Sequence, residues 1–313
     1  TEPYPLALRG LLLLSIGALA VLGLGLVIGG AAAPLPLADP GPVVRFGQPI
    51  TKLILNLSMA TSVGSLVLAS FAANDDERAR LQPVASWAAS IWLFAGAANF
   101  IFTYLSASGS EVTYGSQFSE SLWLFATQIE LGTLLAFNLG FAFLLSLSTI
   151  AFGGRRMTAV NAAIAIAGLY PLAESGHASS DSGHALAVNS LLMHLIGISV
   201  WVGGLIALYA VFRAGNERTQ VLVSRYSTLA LLAFMAVGVS GLTSGFIRLY
   251  GPEDIFSPYG MLLIGKAGLL VLLGIFGARY RLGAISKISA STSGFWRLVG
   301  VELFIMGSAI GLG

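Results

Sequence analysis

Cysteine is absent from the 313 residues. That excludes disulfides, thiolate metal sites and thiol redox chemistry. Charged residues are scarce, at 10%, where soluble domains carry about 25%. No polar stretch is long enough to build a soluble core of its own. The net charge of +2 is small, and the basic residues sit in loops, which points away from nucleic acid as a partner. Phosphate-binding glycine loops, nucleophile elbows and HExxH motifs are all missing. Neither an ATP-driven pump nor a hydrolase is expected, and the chain does not read as an enzyme. Histidine is rare too, with three in the whole chain. What fills the sequence is apolar side chains, 56% of the residues.

Those apolar residues fall in runs long enough to cross a bilayer, which takes roughly 17–25 residues. The runs lie near 6–30, 50–72, 84–106, 119–151, 157–173, 186–212, 222–248, 260–282 and 297–313. The fold class expected is all-α, a polytopic transmembrane helical bundle of about nine spans in the lipid bilayer. The first run, from Leu6 to Ile28, is too long for a signal-peptide core and reads as a span. The fourth is long enough to start as an interfacial segment around Phe118–Trp123. The last runs on to Gly313 with no polar flank, as expected of part of a longer protein.

Lysine and arginine set the orientation. Twelve of the sixteen fall on one side, among them Arg78, Arg155, Arg225 and Arg279, while the other side holds Arg45, Lys52 and Arg248. Lys266 lies inside a span. The basic side is therefore expected to be cytoplasmic, with the N-terminus inside. The loops 31–49, 107–118, 174–185 and 249–259 then face outward.

All three histidines cluster around one helix. His177 and His184 flank a glycine- and serine-rich outer loop with Glu174 and Asp181. His194 lies within the next span, about 12 Å below its start at 1.5 Å per residue. An ionisable group inside a membrane helix is costly and marks a functional site by default. Trp201 follows two turns later on the same face, among Gly197, Gly203 and Gly204. Neutral imidazoles, carboxylates and thioethers are metal ligands, and thioethers favour Cu(I). The candidate metal ligands are His177, His184, His194, Met193, Met59, Glu130, Glu174 and Asp181. Glu130 reads as a mid-span carboxylate sharing a face with Thr127 and Asn138, with Lys266 as a partner. Trp92, Gly96, Asn99 and Thr103 form a polar stripe on the third span, suited to lining a cavity or to joining helices.

The second part of the chain resembles the CopD copper-resistance family. The likeness rests on His194-Leu-Ile-Gly-Ile-Ser-Val-Trp201-Val-Gly-Gly204, Ser224-Arg-Tyr-Ser227, Val239-Ser-Gly241, Gly265-Lys-Ala-Gly-Leu269 and Arg297-Leu-Val-Gly-Val-Glu302. The resemblance implies a membrane histidine at His194, a tryptophan at Trp201 and a membrane lysine at Lys266. It divides the chain into residues 1–185, five helices with the outer histidine loop, and 186–313, a four-helix CopD-like domain. It implies copper transport or delivery at the bacterial plasma membrane, with cytochrome oxidase or a CtaG-like assembly domain as partner. Two other readings remain open from the residues: a haem protein with His194 as axial ligand, and a ligand-free assembly subunit of a respiratory complex.

Overall fold

The computed structural model describes residues 4–28, 30, 33–34, 38–110, 115–176, 184–211, 217–249, 251–279 and 292–311. His177 and Asp181 lie outside them. Among the described residues every regular element is helical: α1 Tyr4–Ile28, α2 Pro42–Phe71, α3 Asp75–Ser108, α4 Ser116–Gln128, α5 Glu130–Ala151, α6 Arg155–Ala167, α7 Tyr170–Ser175, α8 His184–Ile198, a π-helical segment Ser199–Gly203, α9 Gly204–Val211, α10 Glu217–Arg248, a 3-10 turn Pro252–Phe256, α11 Pro258–Arg279 and α12 Thr292–Gly311. Seven described stretches are helical and apolar enough to cross a membrane. Shorter apolar helical stretches, Leu12–Val27 and Val299–Gly311, fall within α1 and α12.

Local chemistry fixes the helix ends. Pro42 opens α2, where its missing N–H costs nothing. Asn74 and Glu77 form a reciprocal capping box at the start of α3, at 2.9 and 2.8 Å. Gly109 ends α3 in the left-handed conformation, φ 61°. The single long run expected at 119–151 is in fact two helices. Ile129, at φ −100° and ψ 122°, breaks it. The Thr133 hydroxyl donates to the Ala126 carbonyl across the break, 3.1 Å, taking up an acceptor that the interrupted ladder frees.

Helix α2 is the centre of the bundle, with 72% of its apolar window buried. It packs on α3, α6, α9 and the π-segment. One apolar cluster joins Met59, Leu66, Trp92, Ala142 and Leu169; a second joins Trp201, Leu205, Tyr226, Leu303 and Met306. Helices α1 and α12, at opposite ends of the described chain, pack on each other. Helix α11 lies at the periphery, with 6% of its window buried.

Where α2 crosses the π-segment the backbones touch. A Cβ on Gly203 would lie 1.7 Å from the Ala60 carbonyl oxygen, and one on Gly64 would lie 2.2 Å from the Gly204 nitrogen. Only glycine permits this approach, the means by which membrane helices gain close packing without a hydrophobic force between them. At the end where α2 finishes, arginines satisfy its last carbonyls. Arg78 Nε donates to Ala69, 3.1 Å, and Arg225 Nη1 donates to Ala72, 2.9 Å.

Candidate functional site

A polar seam runs between α8 and α10. The Ser190 hydroxyl donates to the Ser240 backbone carbonyl, 2.9 Å, and lies 3.0 Å from the Ser244 hydroxyl. One turn further along α8, His194 Nδ1 lies 3.0 Å from Ser240 Oγ. The spacing explains the match: Ser190 and His194 are four apart on one helix, as are Ser240 and Ser244 on the other, so each pair shares a face.

The direction of the histidine contact follows from the serine. Ser240 has one hydroxyl proton, and its oxygen lies 2.6 Å from the Ala236 carbonyl one turn back. With that proton donated to Ala236, Ser240 Oγ is left to accept, and His194 Nδ1 carries the hydrogen. The lone pair is then on Nε2. A ring fixed through Nδ1–H, with Nε2 presented, is how metal-binding histidines are commonly oriented. The ring is partly buried; the Val237 backbone carbonyl is a second acceptor beside it, and Lys266 is within electrostatic reach.

Below the seam the helix changes pitch. A π-bulge alters the regular ladder, and such bulges are frequent at functional sites. Here the Trp201 carbonyl accepts a 2.5 Å hydrogen bond from the Tyr226 hydroxyl of α10. The Trp201 ring packs edge-on against Phe234, centroids 5.3 Å apart. Gly197 lies between these layers, where an added Cβ would be 2.9 Å from Val237 Cγ2.

The remaining sequence candidates are dispersed. His184 Nε2 lies 3.0 Å from Glu174 Oε1, bridging α7 and α8 at the opposite end of the bundle from Arg78. Met193 precedes His194 on α8 and is 38% exposed. Met59 is buried in the α2–α3–α5–α6 cluster, and its sulfur accepts from Asn138 Nδ2 at 3.8 Å. Asn138 also donates to the Gly168 carbonyl, 2.7 Å, and accepts from Trp92 Nε1, 3.1 Å. That set occupies both amide protons and the amide oxygen, so it locks four helices together. Glu130 is exposed in the first turn of α5, not mid-span, because the break at Ile129 precedes it. Lys266 is exposed on α11 and faces the His194 region, not Glu130. Among the described residues no group of three histidine, aspartate or glutamate side chains is placed to hold a metal ion.

Ser190, Ser240, Ser244 and Tyr226 were absent from the sequence-derived ligand set. The four-residue serine spacings were the readable signal, but serines also bond their own helix, and only the crossing of α8 and α10 shows which ones face each other.

Fold and seam together define a multi-pass helical membrane protein with a partly buried histidine at a helix–helix seam. Residues 220–313 match the family model for copper resistance protein D, and residues 43–188 match that for the copper resistance protein D-like N-terminal domain. The chain belongs to this copper-resistance family. Ser190, His194 and the π-segment lie between the two matched stretches. A relative, the copper transport protein CutJ of Bacillus subtilis (strain 168), is 31% identical over 110 residues, covering 33% of this chain and 20% of that protein. The chain thus aligns with only about a fifth of the length of that curated relative. No solved structure matches.

Proposed function

We propose that this chain moves copper across the bacterial cytoplasmic membrane or delivers it there, without enzymatic chemistry, and that His194 is the intramembrane stop on the route. The observation that carries this is the partly buried imidazole held against Ser240 between α8 and α10. The Glu174–His184 pair stands ten residues earlier at the start of α8, about 15 Å along the helix axis. It forms the entry point, on the outer side if the arginine-rich end is cytoplasmic. Carboxylate and imidazole suit Cu(II), and imidazole also accepts Cu(I). A single imidazole binds a cation firmly enough to guide it and loosely enough to release it, the balance that conduction requires. The same reading takes cytochrome oxidase, or a CtaG-like partner, as the acceptor in delivery.

Whole-cell copper content tests this. His194→Ala at equal expression is expected to lower accumulation to that of cells lacking the protein. Accumulation at the wild-type level refutes the role of His194. A Soret band in the purified protein points instead to haem.

A further inference from the structure

A carboxyl group unused by this route lies on α12. Glu302 is 6% exposed. On the α12 wheel Gly300, Phe304, Gly307, Ser308 and Gly311 face α1, with backbone approaches such as Gly307 against the Leu14 carbonyl. Val299, Glu302, Leu303 and Met306 occupy the other side, and all four are buried. Val299, Leu303 and Met306 belong to the apolar cluster containing Trp201 and Tyr226. Among the described residues, no hydrogen bond or ion pair reaches the Glu302 carboxyl.

Among the described side chains, few titratable groups surround it. The described side chains of α1, from Leu12 to Val27, include none. Helix α9 contributes Tyr209, which is buried. On α11, Tyr259, Lys266 and Arg279 are exposed. On α10, the buried Tyr226 phenol is within electrostatic reach of Glu302. That phenol also donates to the Trp201 carbonyl of the π-segment, which accepts from the Gly204 N–H as well.

We propose that Glu302 is a proton-binding site inside the membrane whose charge state governs the Tyr226–Trp201 contact. This rests on the transport reading for its role but not for its existence. As the neutral acid, Glu302 leaves the phenol on Trp201. When the carboxyl releases its proton, the carboxylate is the stronger acceptor and draws the phenol O–H away from the backbone carbonyl. The π-segment then loses its hydrogen-bonded tie to α10, keeping the Trp201–Phe234 ring contact. One O–H bond breaks and one proton leaves towards water at the arginine-rich end. No electron moves. A proton taken back restores the first state, so copper passage beside the π-segment is linked to one proton per cycle.

Two measurements on the full-length chain test this. Dicyclohexylcarbodiimide reacts with protonated carboxyls in apolar surroundings, and peptide mass spectrometry locates the adduct. Labelling at Glu302 is expected, faster at lower pH, retained in Tyr226→Phe and lost in Glu302→Gln. No labelling at Glu302 at any pH overturns the proton site. In proteoliposomes with a luminal pH dye, added copper is expected to drive proton movement. In Glu302→Gln this falls to the protein-free level. If the wild type moves copper without protons, the coupling is overturned while transport stands. If it moves no copper, the transport reading fails and the coupling with it, and labelling alone decides the proton site.

Discussion

Ser240→Ala separates a metal-orienting contact from a merely structural one. The substitution removes the side-chain acceptor that lies 3.0 Å from His194 Nδ1, leaving the Val237 carbonyl beside the ring. It leaves the Ser190 bond intact, because Ser190 donates to the Ser240 backbone carbonyl. It also removes the back-bond to Ala236, which contributes little to a helix. The stability cost is therefore that of one interhelical hydrogen bond, about 0.6 kcal/mol in membranes. If Nε2 binds copper, the cost at the metal is larger. Losing the partner of a ligating histidine lowers affinity about 10–100-fold, or about 1.4–2.7 kcal/mol. The assay is a competition titration of purified protein against a chromogenic Cu(I) chelator, with thermal unfolding measured in parallel. The expected result is a small shift in Tm and a loss of at least tenfold in copper affinity. Unchanged affinity, with the small Tm shift, refutes the orienting role and reduces Ser240 to a helix contact.

Other outcomes follow from the packing. Gly203→Ala places a methyl 1.7 Å from a backbone oxygen of α2, so overpacking of about 1–3 kcal/mol or more is expected, seen as loss of monodisperse protein in detergent. Gly265→Ala meets no heavy atom within 4 Å and is expected to stay within about 0.5 kcal/mol of wild type; equal losses from both changes refute the close-contact account. Asn138→Ala strands Trp92 Nε1 and the Gly168 carbonyl in a buried setting. The expected cost is about 1–3 kcal/mol, read as a lower Tm, with copper affinity unchanged because Met59 lies in a separate cluster from His194.

The helical runs were legible because bilayer thickness sets their length. Every apolar run read from the sequence contains helix, with interruptions that composition concealed. Ile129 carries no glycine or proline signal, so the α4–α5 break was hidden and Glu130 read as mid-span. The π-segment is equally silent: Ser199–Gly203 is an ordinary apolar stretch until α2 presses against it. His194 was readable because histidine is so rare here. Its serine partner was not, since Ser240 lies 46 residues away and only helix crossing brings it near. Met59 read as a soft ligand, but its nearest polar partner is Asn138, 79 residues on.

The glycine crossing at Gly64 and Gly203 also bears on how the chain can be dissected. A fragment beginning after residue 188 would contain the whole segment matched to copper resistance protein D, yet it would carry the bulge without its supporting wall. Because backbone meets backbone there, no side chain is available to fill the gap. The N-terminal matched region is therefore coupled at this crossing to the stretch that links it to the second, and tolerated changes on one side should be accompanied by compensating changes on the other.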